Sequence, residues 1–297
     1  MHIAVTGSSG LVGAALVSFL TADGHPVIRL VRKPPSGDEV QWDPTEGVRD
    51  LSRLEGVDAV IHLAGENIAA GRWTPRRKGE IHRSRVEGTR ELCESLTRLS
   101  RRPEALVSAS AVGFYGDRGD EILAEDSAPG RDFLARICQE WEAATEPASR
   151  AGIRVVHLRF GMILSAAGGA LRRMLLPFKL GAGGRMGRGT QYVSWIAIDD
   201  AIGAIHHAVR TVSLHGPVNA VSPAPVANAE FARVLARVLS RPAIFPTPAF
   251  AMRLAFGEMA DALLLASQRV VPSRLQASGY RFRYPELAGA LRHLLGR

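Results

Sequence analysis

The sequence predicts an α/β fold, a doubly wound parallel sheet with helices packed on both faces. Three observations support this prediction. Short apolar runs alternate with longer helical stretches as far as Phe160, the first run passes directly into a glycine-rich turn and a helix, and turn-forming residues separate the units. Parallel strands joined through helices need right-handed crossovers and are buried on both faces, which is the doubly wound arrangement.

The first strand–helix–strand unit shows how the elements are assigned. His2–Thr6 is a short apolar strand, and the helix that follows places Leu11, Ala14 and Phe19 on one face. Gly24-His25-Pro26 breaks this helix before the second strand. By the same criteria the predicted strands are residues 2–6, 27–31, 59–64, 105–110, 155–160 and 218–221, and the predicted helices are 11–20, 83–99, 133–148, 170–180, 199–212, 228–239, 249–265 and 285–295.

The regular alternation weakens after Gly161, which indicates a second structural unit. Glycine pairs and a glycine-rich run frame the helix at 170–180, and Ser222-Pro223-Ala224-Pro225 is typical of a linker. We therefore expect a first domain at 1–221 and a small C-terminal domain at 222–297, with 165–190 contributing to the second. The substrate domain is then discontinuous, and substrate is expected in the cleft between the two domains.

The composition is that of a globular protein and argues against several other classes. Of 297 residues 46% are hydrophobic and 22% charged, and the two cysteines, Cys93 and Cys138, belong to no CxxC or Cys/His cluster. Both are predicted to be packing residues. His206 and His207 have no carboxylate or cysteine near them in the sequence, so a core or surface role is favoured and no metal site is predicted.

Charge and hydropathy indicate neither a membrane nor a nucleic-acid partner. The apolar start lacks a basic leader and is interrupted by glycines, and no stretch is long and apolar enough to span a bilayer. The net charge of +8 comes from scattered residues without a nucleic-acid reading motif. Anionic phosphates of a cofactor or substrate explain the basic excess as well, and a cytoplasmic location is expected.

The glycine-rich turn after the first strand is a candidate dinucleotide site. Glycines spaced G-x-x-G-x-x-G let the backbone turn sharply, approach a pyrophosphate closely and pack the helix against the strand. The helix N-terminus also attracts the phosphate charge. The residues predicted here to bind the cofactor are Thr6, Gly7, Ser9, Gly10, Leu11, Val12 and Gly13.

The end of the second strand indicates which dinucleotide binds. Cofactors without a 2′-phosphate usually meet a carboxylate at this point. Here the strand ends in Arg32 and Lys33, and a guanidinium can hold a phosphate through two charge-assisted hydrogen bonds. The alternative is a merely solvated strand end. The sequence therefore favours NADP(H).

Several segments together resemble the extended short-chain dehydrogenase/reductase superfamily of Rossmann proteins. More narrowly, the chain resembles an atypical subgroup described as epimerase family proteins, with a C-terminal domain of unknown function. The segments that carry the wider resemblance are 6–13, 62–65, 88–89, 108–110, 114–116, 158–159 and 198–200, and those that carry the narrower one are 66–68, 72–74, 84–86, 141–142, 177–181, 265–270 and 282–285. The resemblance adds Leu63, Ala64, Gly65, Arg85, Ser108 and Arg159 as candidate cofactor contacts.

The superfamily implies a tyrosine that exchanges the substrate hydroxyl proton, a lysine four residues later, and an orienting serine. This chain has no Tyr-x-x-x-Lys, and the helix where the pair is expected begins at Phe133. Two interpretations stay open. Either Tyr115, with Ser110 as its hydroxyl partner, serves as a nonstandard catalytic group, or the protein carries out no redox chemistry.

The first interpretation predicts an NADP(H)-dependent oxidoreductase or epimerase-like enzyme. Its expected partner is a small-molecule substrate, with nucleotide sugars and other phosphorylated compounds as candidates, and a homodimer is one possible assembly. The second predicts a noncatalytic NADP(H)-binding regulatory or scaffold protein. Division-related roles assigned to some relatives keep that alternative open.

Overall fold

The computed structural model describes all residues 1–297 and contains an eight-stranded sheet flanked by helices. The strands are β1 Ile3–Thr6, β2 Val27–Val31, β3 Glu39–Asp43, β4 Gly47–Val48, β5 Ala59–His62, β6 Ala105–Ala111, β7 Ile122–Leu123, β8 Arg154–Phe160, β9 Met162–Leu164, β10 Tyr192–Val193, β11 Trp195–Ala197, β12 Gly216–Ala220, β13 Val226–Ala227 and β14 Arg269–Val270. The α-helices are α1 Leu11–Ala22, α2 Pro75–His82, α3 Gly88–Thr97, α4 Phe133–Ala143, α5 Glu146–Arg150, α6 Gly169–Lys179, α7 Ile198–Arg210, α8 Asn228–Leu239, α9 Ala249–Phe256, α10 Ser273–Ala277 and α11 Leu287–Leu295. Short 3₁₀ turns lie at Leu51–Leu54 and Val112–Tyr115, and π turns at Arg83–Glu87 and Ala260–Leu265.

The strand order of the large sheet is β12-β8-β6-β5-β1-β2-β3-β4. Every neighbouring pair is parallel except β3 and β4. Because β1 lies between β2 and β5, the order reverses there, and a crevice forms beyond the carboxyl ends of these strands. The predicted doubly wound parallel sheet is confirmed.

Two apolar layers cover the sheet. On one face, Leu16 and Leu20 of α1 and Ile205 of α7 are fully buried in a single cluster with the sheet. On the other face, Leu92 and Leu96 of α3 are fully buried. Burial of a large aliphatic side chain contributes about 1.5–3 kcal/mol, so these two layers account for much of the stability of the sheet.

A third apolar cluster unites elements that are far apart in the sequence. It includes Leu171 of α6, Trp195 of β11, Leu235 of α8 and Leu291 of α11. The segment between β9 and β10 therefore packs against helices of the tail. The tail is also tied to the loop after β6, because β14 pairs in parallel with β7.

Three predicted helices differ from the expected bounds. The predicted helix 83–99 is part of a continuous helical stretch from Pro75 to Thr97, in which the π turn Arg83–Glu87 joins α2 to α3. The predicted helix 133–148 divides before α5, which has Pro147 in its first turn. The predicted helix 249–265 is interrupted by Gly257, whose φ is +61°.

The sequence patterns missed two elements near the candidate site. The helix α2 begins at Pro75, and the Thr74 hydroxyl caps it by accepting a hydrogen bond from Arg77 N. The strand β3 is short, and in the sequence it is surrounded by turn-forming residues that concealed it. None of the helices is both long and apolar enough to cross a bilayer.

Candidate cofactor and active site

The glycine turn is so tight that two of its glycines cannot be replaced by any residue with a side chain. Gly7 has a φ of +66°, and a Cβ atom there would lie 2.7 Å from the carbonyl carbon of Leu63. A Cβ atom on Gly13 would lie 2.1 Å from Gly7 O. Since both contacts are with backbone, any side chain would push α1 away from β1 or the turn away from the loop after β5.

The N-terminus of α1 is open to an anion. Its N-cap residue is Gly10, which provides no side-chain cap, and Ser9 and Gly10 are exposed. The first-turn N–H groups of Leu11, Val12 and Gly13 have no partner within the helix, as at any helix start. The uncapped amides and the helix dipole suit a pyrophosphate. The residues present therefore fit a dinucleotide at this position.

Thr6 has a different position from the one predicted. Its side chain is fully buried, and its Oγ1 accepts hydrogen bonds from Leu63 N at 3.1 Å and Ala64 N at 3.2 Å. Its Oγ1 also lies 2.8 Å from Nδ1 of His62. Thr6 thus connects β1 to the loop after β5 and supports the glycine turn from its buried side.

His62 continues this buried chain of hydrogen bonds. Its Nε2 lies 2.9 Å from Thr89 Oγ1, which also accepts a hydrogen bond from Trp141 Nε1 at 2.9 Å. Burial, reinforced by the nearby positive charge of Arg85, lowers the pKa of His62 to about 4. His62 is therefore a neutral bridge between β5, α3 and α4. His62 belongs to the segment 62–65 that carries the family resemblance, but no role was predicted for it, although it ends the apolar strand β5.

Arg32 and Lys33 directly follow β2, the position at which the sequence predicts contacts with a 2′-phosphate. Their side chains are 72% and 66% exposed, and each faces one carboxylate: Arg32 Nη1 lies 3.7 Å from Glu66 Oε1, and Lys33 Nζ lies 3.3 Å from Glu39 Oε2. The ion pair of Arg32 with Glu66 joins two partly exposed side chains and is weak, whereas Lys33 pairs with the buried carboxylate of Glu39. Because both cationic side chains are themselves largely exposed, each is accessible to an incoming phosphate.

Arg85 borders the loop that follows β5. Its Nη1 donates to the carbonyl of Glu66 at 2.9 Å, its Cζ lies 5.0 Å from the Trp141 ring, and a Cβ atom on Gly65 would lie 3.4 Å from that Cζ. Burial lowers the pKa of Arg85. No carboxylate lies within ion-pair distance of this guanidinium, so part of its hydrogen-bonding capacity is available to a ligand.

Ser110 and Arg159 meet at the carboxylate of Glu142, which is 12% exposed and had no predicted role. Arg159 donates to Glu142 through two parallel hydrogen bonds of 2.8 Å, and Ser110 Oγ donates to Glu142 Oε1 at 2.7 Å. Ser110 and Arg159 are each 3% exposed. Ser108, earlier on the same strand, is also buried. These side chains link β6, β8 and α4 and present almost no surface to a ligand.

Tyr115 also lies inside this network. It is 0% exposed, its hydroxyl donates to Asn219 Oδ1 at 2.7 Å, and it accepts a hydrogen bond from Arg159 Nη1 at 3.0 Å. Burial raises the pKa of Tyr115. A fully buried phenol whose hydroxyl already donates one hydrogen bond and accepts another within the protein does not suit the role of proton donor that the sequence suggested.

The face of α4 that meets the end of β6 carries Leu134 and Cys138. A Cβ atom on Gly113 would lie 3.4 Å from Leu134 Cβ and 3.8 Å from Cys138 Sγ. These two residues are four apart, the spacing of the implied tyrosine and lysine. Burial raises the pKa of Cys138 to about 12, so its thiol is neutral. Neither side chain can exchange protons at neutral pH.

The strand order, the glycine turn and the cations after β2 define a dinucleotide-binding α/β protein. Within that class, the chain belongs to the NAD dependent epimerase/dehydratase family, whose model matches residues 3–220. A domain of unknown function matches residues 247–294. The resemblance inferred from the sequence is confirmed.

Similar proteins match the chain over nearly its whole length. An epimerase family protein of Mycobacterium bovis is 43% identical over 290 residues, which cover 97% of this chain and 96% of the relative. The structure of human epimerase family protein SDR39U1 with NADPH has a TM-score of 0.92 and 36% identity, and the match covers 100% of this chain and 99% of that one. A nucleoside-diphosphate sugar epimerase from Corynebacterium glutamicum has a TM-score of 0.83 and 41% identity, with 100% of this chain and 58% of that chain covered.

Proposed function

We propose that the protein binds NADP(H) at the carboxyl ends of β1, β2 and β5 and uses it in an oxidoreductase or epimerase-type reaction on a small molecule. The observation that carries this proposal is the uncapped glycine turn beside two accessible cations at the end of β2. The cofactor prediction is confirmed by the relative solved with NADPH.

Each part of the cofactor has a matching group. The first-turn amides of α1 would hold the pyrophosphate, and Arg32 and Lys33 the 2′-phosphate. The loop Leu63–Gly65 would lie along the nicotinamide half of the cofactor, and the hydrogen bonds from Leu63 N and Ala64 N to Thr6 hold this loop in place. When bound, the cofactor supplies or accepts a hydride.

The substrate would be oriented by Arg85. Its guanidinium lies at the loop after β5, has no ion-pair partner and donates only one hydrogen bond to the protein, to the Glu66 carbonyl. Free N–H groups in a half-buried setting suit a carbonyl, carboxylate or phosphate oxygen. We assign Ser110 and Tyr115 positioning roles, in place of the catalytic roles predicted from the sequence.

A second candidate function is noncatalytic NADP(H) binding that presents a surface to a protein partner. The observation that favours it is the environment of the end of β6, where Leu134 and Cys138 occupy the facing positions and Tyr115 is fully buried. The cofactor is then a structural ligand.

Deuterium exchange at the nicotinamide separates the two functions. NADPH deuterated at C4 is incubated with the protein and with fractionated small-molecule extracts, and loss of the label is followed by mass spectrometry. The enzyme proposal predicts exchange that depends on one fraction, is abolished in Arg85→Met and persists in Arg150→Met, a change at an exposed arginine of α5. Tight NADPH binding without exchange in any fraction would contradict it and support the noncatalytic role.

A further inference from the structure

A cluster of two histidines and an aspartate lies at the opposite end of α1 from the glycine turn. Asp23 directly follows α1, His25 precedes β2, and His206 belongs to α7. Along the chain no carboxylate or cysteine lies near His206, so metal binding by this residue was not predicted. The fold supplies a carboxylate and a second imidazole.

The three side chains converge through specific atoms. His25 Nε2 lies 3.2 Å from Asp23 Oδ2, His206 Nε2 lies 3.8 Å from the same oxygen, and all three ligand atoms lie within 4.8 Å of one another. A tetrahedral zinc ion bound at 2.0–2.1 Å places neighbouring ligand atoms about 3.3 Å apart. Small side-chain adjustments therefore suffice to bring the three atoms to coordination distance.

Both imidazole nitrogens at the centre of the cluster are unsatisfied. His25 Nε2 and His206 Nε2 are inaccessible to solvent and form no hydrogen bond. Buried polar atoms without a partner are uncommon and call for an unassigned ligand or ion. His25 Nδ1 faces the amino group of Met1 at 3.2 Å, so Nε2 is the nitrogen left for a ligand.

We propose that Asp23, His25 and His206 form a binding site for a divalent transition-metal ion, with Zn²⁺ as the representative ligand. Imidazole nitrogen and carboxylate oxygen are ordinary zinc ligands, and three protein ligands leave a fourth position for water. The Asp23 side chain is 48% exposed, which gives the ion a path of entry.

The ion would connect three elements at the end of the sheet opposite the proposed cofactor site. It would join Asp23 just after α1, His25 just before β2 and His206 in the C-terminal half of α7. At 1.5 Å per residue the helix α1 separates this cluster from the glycine turn by about 18 Å. Zinc binding here is therefore independent of the proposed function, and either can fail without the other.

The test uses the full chain without a histidine tag, freed of metal by dialysis against a chelator. Zn²⁺ binding is measured by calorimetry, and Co²⁺ serves as a spectroscopic probe because its visible absorption reports tetrahedral coordination. We expect saturable binding of one ion, a visible Co²⁺ spectrum that Zn²⁺ abolishes, and a rise in the melting temperature when zinc is added.

The variants His206→Asn and Asp23→Asn identify the ligands. Each should weaken Zn²⁺ affinity by more than about tenfold, since even loss of an outer-shell partner costs that much. His215→Asn, which removes an exposed histidine outside the cluster, should bind zinc like the unaltered chain. Melting temperatures measured without metal, together with NADPH affinity, check that the variants are folded. If His206→Asn does not fold, the zinc affinity of Asp23→Asn, a change at a half-exposed position, decides the question.

The proposal is overturned by either of two results. One is the absence of saturable binding of a single Zn²⁺ or Co²⁺ ion. The other is affinity that stays unchanged in both folded ligand variants, which would assign the binding to other surface groups.

Discussion

At the scale of single residues, the candidate site depends on polar side chains that are buried and hydrogen-bonded to one another. Glu142 receives hydrogen bonds from both Arg159 and Ser110, and Tyr115 donates to Asn219. Such groups fix the carboxyl ends of β6 and β8 relative to α4. They explain why residues expected to be catalytic or to touch the cofactor are instead buried.

The Glu142–Arg159 pair gives a direct test of this arrangement. Glu142→Gln leaves a buried guanidinium without its charged partner, and loss of one member of a buried pair costs about 3–5 kcal/mol. We expect a fall of that order in the free energy of unfolding, measured by urea titration. Glu146→Gln, at the exposed ion pair with Arg150, is the matched control and should change stability little. Equal effects of the two changes would contradict the structural role.

His62 makes stability depend on pH in a defined direction. Its pKa is lowered from 6.5 to about 4, so the unfolded chain takes up a proton between those values and the folded chain does not. The free energy of unfolding should therefore fall as the pH drops from about 6.5 toward 4, by about 3 kcal/mol, at about 1.4 kcal/mol for each pKa unit.

Urea titrations at pH 7 and pH 4.5 measure this loss. His62→Gln should show a smaller loss between the two pH values, although burial also lowers the pKa of His157, which still contributes. His215→Asn, at an exposed position, should behave like the unaltered chain. A loss that His62→Gln leaves undiminished would sink the assignment of His62 as a neutral buried bridge.

At the scale of secondary-structure elements, the sequence predicted those features that depend on local patterns. The glycine turn, α1 and β2 follow from spacing and periodicity, and Arg32 and Lys33 from their place after a strand. Glu142 and His62 could not be assigned, because their roles depend on which elements become neighbours. The direction of Tyr115 could not be predicted either, since a 3₁₀ turn after β6 aims it inward.

The C-terminal end of α7 is held by a residue of β8. Arg154 donates hydrogen bonds to the carbonyls of Ala208, Val209 and Leu214, at 2.7 to 2.9 Å. These carbonyls include helix-terminal acceptors that would otherwise be unpaired. Arg154 thus anchors α7 to the sheet.

Arg154→Met keeps the aliphatic stem but removes these donors. We expect a loss of about 2 kcal/mol in the free energy of unfolding, the scale of hydrogen bonds made by a charged group. Hydrogen exchange of the last turn of α7 should also accelerate. Arg210→Met, at an exposed arginine of the same turn, is the control. Unchanged exchange in Arg154→Met would show that other contacts hold the helix end.

At the scale of the whole molecule, two buried carboxylates connect the C-terminal segment to the sheet and to α7. Glu125 Oε1 accepts hydrogen bonds from Asn219 N and Arg274 N, both at 3.1 Å. Asp200, which is 0% exposed, accepts from Arg283 N at 2.7 Å and Tyr284 N at 2.9 Å. The segment from Arg274 to Tyr284 is therefore held at two points, before the last helix α11.

Asp200→Asn replaces one accepting oxygen with an amide donor facing a backbone N–H. We expect the tail around Arg283 and Tyr284 to open more often, with faster hydrogen exchange there and a stability loss of about 1–3 kcal/mol. NADPH affinity should be retained, because the glycine turn lies outside these contacts. Asp120→Asn, at an exposed loop position, is the control. Slow exchange of the tail in Asp200→Asn would show that apolar packing alone holds it.

The glycine turn, Arg32 and Lys33 together form the proposed NADP(H) site. Titration calorimetry with NADPH, NADP⁺, NADH and NAD⁺ tests this site, with Arg32→Ala alongside and Arg150→Ala as the control. We predict tighter binding of the 2′-phosphorylated cofactors, and a loss of about tenfold to hundredfold in that preference in Arg32→Ala only. No binding of any of the four dinucleotides, or equal affinity for NADPH and NADH in the unaltered chain, would show that these residues do not form an NADP(H) site.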